Sequence, residues 1–409
     1  MHLECLICGE KYSSTEVDYV CPKHGYEGIL DVIYDYDKVQ FEFEIKELRE
    51  RKDKSIWRYE PLLPIQQNIE KPLLYVGNTP LYRTERLAKH LGLKHLYIKD
   101  EGRNPTASLK DRAAAIAIVK AKEKNAEIIT AASTGNAAAA LSGLCAGIGQ
   151  KNVIFVPVSA PKAKIAQLLV CGSEVMLVNG SYDDAFELSL EATRKYGWYN
   201  RNTGYNPYMT EGKKTVSFEI FEQMEMPDVV LVSVGDGCII GGVHKGFKDL
   251  LALGWIDKIP RIYGIQSEGS NYLTEAWTNG EDVLTKSPIK AETVADSISA
   301  GLPRDRIKAM RAVKETNGAF IAVSDEAILK AIPLMAAYTG VFGEPAGATA
   351  LAGLLSLLEQ NQIGKEERIL LINTGNGLKD ILSANKALEL VGKRGILIEA
   401  DSKVLDDIF

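Results

Sequence analysis

Lys110 stands in the run Asn104-Pro105-Thr106-Ala107-Ser108-Leu109-Lys110-Asp111-Arg112, flanked by small polar residues where a helix begins. A lysine amine held partly neutral in a pocket can condense with a carbonyl group and then carry protons; taken alone, the run also reads as an ordinary Lys-Asp-Arg helix start. Three further stretches have the residue types of ligand-binding turns. Ser133-Thr134-Gly135-Asn136 joins an apolar run to an Ala-rich one. At a helix N-terminus its N–H groups would seat a carboxylate, with Asn136 adding a side-chain donor; a plain capping turn fits the same residues. Gly235-Asp236-Gly237-Cys238-Ile239-Ile240-Gly241-Gly242 follows the apolar run Val229–Val234. Its glycines let backbone approach a phosphate, yet it matches neither the P-loop nor the dinucleotide fingerprint. It reads as a phosphate cup of another kind, in which the Asp236 carboxylate must turn away or cap the turn. Asn373-Thr374-Gly375-Asn376-Gly377 offers a hydroxyl and amides after another apolar run, or simply a tight turn.

A second kind of chemistry is written at the N-terminus. Cys5 and Cys8 form one pair, Cys21 and His24 another, and together they make a four-ligand set of the kind a tetrahedral zinc ribbon uses. With four protein ligands the site has no open position, so the expected role is structural. A degenerate ribbon that packs without metal is the alternative. Cys145, Cys171 and Cys238 are scattered and read as small apolar residues.

The elements that must position these loops alternate. His95–Lys99, Glu127–Ala132, Asn152–Val158, Glu174–Val178, Val229–Val234, Ile262–Gln266 and Ile369–Asn373 read as strands, with helical stretches between them. Strands that are apolar throughout and alternate with helices predict an α/β protein whose mostly parallel sheets are covered on both faces. In such sheets ligands bind at the carboxyl ends of strands, where all four loops lie. Residues 34–75 are charged and aromatic, helical near Phe43–Arg51, and show no chemistry. The 409 residues suit two or three domains, and 46% hydrophobic with 25% charged residues is ordinary for a globular chain. A net charge of -6 and the lack of a basic stripe argue against nucleic acid as a partner. No apolar run approaches the roughly 20 residues of a membrane span, and the first residues lack a signal peptide's pattern, so a cytoplasmic protein with no membrane partner is expected.

Taken together and in order, the four stretches resemble the fold type II pyridoxal-phosphate enzymes, and within them the threonine synthases. Gly77-Asn78-Thr79-Pro80-Leu81, Asn206-Pro207-Tyr208 with Glu211-Gly212, Ala295-Asp296-Ser297-Ile298 and Glu344-Pro345-Ala346 carry the same resemblance, which spans roughly residues 76–385 and includes the ribbon. It implies two doubly wound domains with the cofactor between them: a ribbon at 1–33, a larger cofactor-binding domain at 34–125 plus 215–409, and a smaller mobile substrate domain at 126–214. It implies pyridoxal phosphate bonded to Lys110, its 3′ oxygen on Asn136, its phosphate on Gly235, Asp236, Gly237, Cys238 and Ile239, and its ring nitrogen on Thr374. A neutral hydroxyl there favours elimination over transamination. Ser133, Thr134 and Gly135 would hold the substrate carboxylate, and a homodimer is implied.

The implied activity is a lyase reaction on a small amino acid: α-proton removal, loss of a γ-phosphate, and water addition. Serine or threonine ammonia-lyase, β-replacement, and a non-catalytic ligand sensor on the same fold are the alternatives; the sensor has little use for Lys110. One stretch departs from the family. Where threonine synthases commonly read Asn-Ser-Val-Asn-Pro-Tyr-Arg, this chain has Thr203, Gly204 and, in place of the Arg, Met209. Methionine gives a phosphate no charge-assisted donor. On that residue alone, turnover of O-phosphohomoserine is expected to be weak, unless Arg201, Lys213 or Lys214 fills the gap.

Overall fold

The computed structural model describes residues 1–400 apart from 134, 161 and 399, and leaves the side chains of Glu42 and Ala163 undescribed. Three strands build the N-terminal module: β1 (His2–Cys5) pairs antiparallel with β2 (Lys11–Tyr12) and with β3 (Leu30–Ile33). The main body holds two sheets. In chain order their strands are β4 (Leu81–Arg83), β5 (His95–Asp100), β6 (Ile128–Ala132), β7 (Lys151–Pro157), β8 (Glu174–Val178), β9 (Tyr199–Asn200), β10 (Val229–Ser233), β11 (Arg261–Ser267), β12 (Phe320–Val323) and β13 (Arg368–Asn373). The larger sheet runs β12-β11-β10-β13-β5-β4 and the smaller β8-β7-β6-β9. Every pairing in them is parallel except β4 with β5, at the edge.

The apolar runs are continuous because the larger sheet is covered twice. Along β10, Val230 and Val232 enter one core cluster while Val229 and Leu231 enter the other; along β13, Leu370 and Ile372 divide from Ile369 and Leu371 in the same way. Side chains alternate faces along a strand, so a strand buried on both faces must be apolar at every position. One face is covered by helices that include Lys110–Glu123, Tyr208–Lys213 and Cys238–Ala252, the other by Asp325–Thr339 and Pro345–Glu359. The fold is thus the α/β arrangement of mostly parallel sheets expected from the sequence.

The N-terminal module packs against the body. The Tyr19 hydroxyl accepts a hydrogen bond from Asn200 N at 2.9 Å, and its ring stacks on Tyr205 with centroids 4.6 Å apart. Arg311 donates to Leu6 O at 2.9 Å, and Lys308 pairs with Asp31 at 3.4 Å. Tyr34 and Tyr36 belong to a buried ionic network: Tyr34 donates to Glu211 at 2.7 Å and Tyr36 to Asp249 at 2.6 Å, while Lys214 pairs with both carboxylates at 2.6 Å. Lys214 is therefore committed within the scaffold. Among the described residues no helix is long and apolar enough to cross a membrane.

Candidate active site

The loops that follow β5, β10 and β13 leave the carboxyl ends of three strands that stand side by side, in the order β10-β13-β5. The fourth loop follows β6 in the smaller sheet and reaches across to them. Parallel strands bring the first three together because each βα turn falls at the same end of their sheet, and the fourth joins them through Asn136 and Glu344.

Lys110 is the first residue of its helix. The turn that delivers it is fixed from both sides. Asp111 accepts from Thr106 N at 2.7 Å and also from the Thr106 hydroxyl. Leu109 N donates to Thr374 O at 3.0 Å, Asn376 N donates to Ala107 O at 3.0 Å, and Ser108 bridges Gly375. Ala107 has φ 66°, a left-handed conformation unusual for a residue with a Cβ. Below the turn, Arg112 donates to Glu101 at 2.7 Å and to both Glu219 oxygens at 2.8 Å; Lys99 also pairs with Glu219, at 2.7 Å. Glu219 further accepts from Asn78 N at 2.7 Å, which ties the Gly77–Leu81 stretch to the same network. These fully buried charges are all paired, and they anchor the start of the Lys110 helix.

Burial, and next the nearby charge of Lys213, push the Lys110 amine down to about 8. Desolvation disfavours the ammonium form, and a like charge disfavours it further. The residues that share its surroundings include Cys238, Asp236 and Arg201. Cys238 opens a helix of fifteen residues whose N-terminus has no side-chain cap, so its free N–H groups and dipole face the same space. Gly237, with φ 90°, makes the left-handed turn into that helix. Gly235 lies so close to Ile298 that a Cβ would come within 2.8 Å of Ile298 Cα. Asp236 turns its carboxylate to Arg304 N at 3.4 Å and its carbonyl to Asp305 N at 2.8 Å, so the carboxylate turns away and does not cap the Cys238 helix.

Thr374 is buried, with its hydroxyl 3.4 Å from that of Ser233. Asn136 donates to Glu344 at 2.5 Å and to Ser297 at 3.4 Å, so the smaller sheet's loop touches the larger part of the body directly. Burial raises the Glu344 carboxyl above its usual range. The Ser133 hydroxyl accepts from Gly135 N at 3.2 Å and Ala138 N at 3.3 Å, so it caps the helix that starts at Asn136. Gly135 and Asn136 line a cavity of about 320 Å³ together with Thr106, Ala107, Lys164 and Lys379. Thr134 lies outside the described residues.

The donors present fit pyridoxal phosphate: an uncapped helix N-terminus for its phosphate, a partly neutral lysine for its aldehyde, a buried hydroxyl and an amide for its ring, and the buried, unpartnered Ser108 hydroxyl nearby. The ribbon also fits its metal. The ligand atoms of Cys5, Cys8, Cys21 and His24 all lie within 4.8 Å of one another. Gly28 is needed beside them, since a Cβ there would meet Cys21 Cβ at 2.8 Å and His24 Cβ at 2.9 Å.

Sequence reading gave Glu344 no role beyond its place in the Glu344-Pro345-Ala346 stretch. It offered Arg201, Lys213 and Lys214 alike as substitutes for the missing arginine, with nothing to choose between them. Arg201 is 1% exposed and Lys213 0% exposed. Arg201 Nε and Nη2 and Lys213 Nζ have no hydrogen-bond partner among the described residues. Met209, in the position of the family's arginine, is 0% exposed and packed in the core.

With this geometry in place, comparison with known proteins defines the class. A family model described as pyridoxal-phosphate dependent enzyme matches residues 73–375, and the chain belongs to that family. It is a pyridoxal-phosphate-dependent lyase. Within the family it falls among the threonine synthases: it is 38% identical to threonine synthase of Methanocaldococcus jannaschii, over 99% of this chain and 98% of that protein. It is also 38% identical to threonine synthase of Methanosarcina acetivorans, over 93% of this chain and 92% of that protein. Among solved structures, the processed form of threonine deaminase isoform 2 from Solanum lycopersicum superposes with a TM-score of 0.66 at 25% identity, covering 77% of this chain and 88% of that one.

Proposed function

We propose that the protein makes threonine from O-phosphohomoserine: the amino acid loses its α proton and then a β proton as the γ-phosphate leaves, the γ carbon takes up a proton, water's hydroxyl adds at the β carbon, and a proton returns to the α carbon. The observation that carries this reading is Lys110, its amine lowered to about 8, facing the uncapped N-terminus of the Cys238 helix at the carboxyl ends of β5, β10 and β13. The full-length similarity to threonine synthases supports it.

Pyridoxal phosphate, when bound, supplies the electron-withdrawing ring that makes an amino acid's α C–H acidic. The chain's own residues do the rest. Lys110 holds the cofactor and, once freed by substrate, takes the α proton with its neutral amine and returns protons later in the reaction. The N–H groups of Gly235–Ile239 receive the cofactor phosphate at the helix N-terminus. Thr374 meets the ring nitrogen with a neutral hydroxyl, and Asn136 meets the 3′ oxygen while held by Glu344. Ser133, Thr134 and Gly135 take the substrate carboxylate. Residues 126–214 act as the part that closes over substrate. The ribbon holds a structural zinc on Cys5, Cys8, Cys21 and His24, and the enzyme works as a cytoplasmic homodimer.

Incubating the purified enzyme with O-phosphohomoserine tests this reading. Threonine and inorganic phosphate should form in equal amounts, and Lys110→Ala should abolish both. Ammonia released from serine or threonine, with no threonine formed from the phosphorylated substrate, would replace this reading with an ammonia-lyase.

A further inference from the structure

Two buried cations near Lys110 lack counter-charges. Arg201 follows β9 and is 1% exposed; Lys213 ends the short Tyr208–Lys213 helix and is 0% exposed. Arg201 Nε and Nη2 and Lys213 Nζ find no hydrogen-bond acceptor, and neither side chain pairs with a carboxylate among the described residues. Both lie beside Cys238, and both bear on Lys110. Three basic side chains thus gather at one helix N-terminus, whose dipole adds further positive potential. The carboxylates in this group are Asp236, which is already bonded to Arg304 N, and Asp305, whose own N–H donates to Asp236 O; neither pairs with Arg201 or Lys213 among the described residues.

Burying an unpaired cation is strongly unfavourable, and arginine cannot escape by shedding its proton. Each of the other buried cations nearby has a partner: Lys214 has Glu211 and Asp249, Lys245 has Asp249, and Lys308 has Asp31. Arg201 and Lys213 are the exceptions among these described residues, and both lie close enough to Lys110 to act on its charge. The cofactor phosphate can be held by the backbone N–H groups of the Gly235–Ile239 turn, so the two side chains remain for another anion.

The departure from the family pattern points to which anion. Met209 is packed in the core. Lys213 stands one helical turn beyond it, on the same face of the same helix. Arg201 approaches from the loop after β9. We propose that Arg201 and Lys213 form a phosphate seat separate from the cofactor's, which receives the phosphate of the amino-acid substrate and doubles the charge lost at Met209. This rests on the threonine synthase reading for the identity of the leaving group. The seat draws phosphate away from the γ carbon as a β proton is removed: the β C–H pair forms the β–γ double bond, and the carbon–oxygen pair leaves with the phosphate.

The probe is inorganic phosphate, titrated into holoenzyme by calorimetry, with cofactor content read from visible absorbance. Wild type should bind phosphate saturably and in competition with the phosphorylated substrate. Arg201→Gln and Lys213→Gln should each weaken that binding by about ten- to hundredfold, the range for losing a charged hydrogen bond, while keeping their cofactor. Arg201→Lys should recover part of the loss. If either Gln variant fails to fold, the wild type still decides: phosphate must raise the holoenzyme's Tm in a saturable way, and no rise overturns the seat. Unchanged phosphate binding in both variants overturns it as well. Loss of cofactor in the variants, or phosphate competing with cofactor instead of substrate, would assign the two cations to the cofactor's phosphate and refute the proposal. Efficient turnover of the γ-phosphorylated amino acid by both Gln variants would sink the seat and leave the threonine synthase reading intact. Absence of such turnover in wild type, with phosphate binding that still depends on Arg201 and Lys213, would do the reverse.

Discussion

The pH dependence of cofactor capture follows from the surroundings of Lys110. Only the neutral amine can attack the cofactor's aldehyde. At pH 7.5 an ordinary lysine, with a pKa of about 10.4, is neutral in about one molecule in 800. Burial and Lys213 bring Lys110 down to about 8, so that about one molecule in four is neutral at that pH. Capture should therefore run on the order of a hundredfold faster than for an unperturbed lysine. The sign is fixed: lowering pH through about 8 protonates the amine and slows capture, by about tenfold for each unit well below it. The assay is stopped-flow absorbance of cofactor-free protein mixed with pyridoxal phosphate between pH 6 and 9.5. The rate should climb and then level off around pH 8. Lys213→Gln removes a neighbouring positive charge, so its profile should shift to higher pH, though burial, the larger cause, remains. A rate that is flat across this range, or one still climbing steeply at pH 9.5, would show that Lys110 is not the desolvated amine described.

Two further outcomes follow from packing. Because Met209 is enclosed in the core, Met209→Arg should not restore a phosphate contact; it buries an unpaired guanidinium, should destabilise by several kcal/mol, and should lower Tm by many degrees in a thermal melt. Cys8→Ser removes one ribbon ligand, so bound zinc measured by elemental analysis should fall below one per chain and Tm should drop. The folded fraction should keep its kcat, since the ribbon meets the body through contacts such as Tyr19 with Asn200 and not through the Lys110 turn.

Much of this was legible in the sequence because burial leaves a simple mark. Val229–Val232 and Ile369–Ile372 are apolar at every position since both faces of their sheet are covered, and the glycine-rich turns that follow fall where parallel strands end. The Cys5, Cys8, Cys21 and His24 cluster was visible because residues that could hold one metal ion come in closely spaced pairs. Other elements left no such mark. Leu81–Arg83 is a three-residue edge strand, partly exposed, and only its pairing with β5 makes it a strand. Tyr199–Asn200 is shorter still. Nothing in the spacing of Glu211 and Lys214 shows that they sit fully buried against Tyr34 and Asp249, partners far away in the chain. The orphaned state of Arg201 and Lys213 could not be read from spacing, because it depends on which carboxylates are absent around them once the chain folds. Sequence reading named Arg201, Lys213 and Lys214 as equal substitutes for the missing arginine; the fold commits Lys214 elsewhere and leaves the other two unpaired.

The central claim is that Lys110 carries the cofactor, and chemical trapping tests it most directly. Borohydride reduction of the holoenzyme should fix pyridoxal phosphate covalently, and mass mapping of the digest should find the label on the peptide that contains Lys110 and on no other. A label on Lys213, Lys379 or any other lysine would contradict the account, and so would holoenzyme from which the cofactor still dialyses away after reduction.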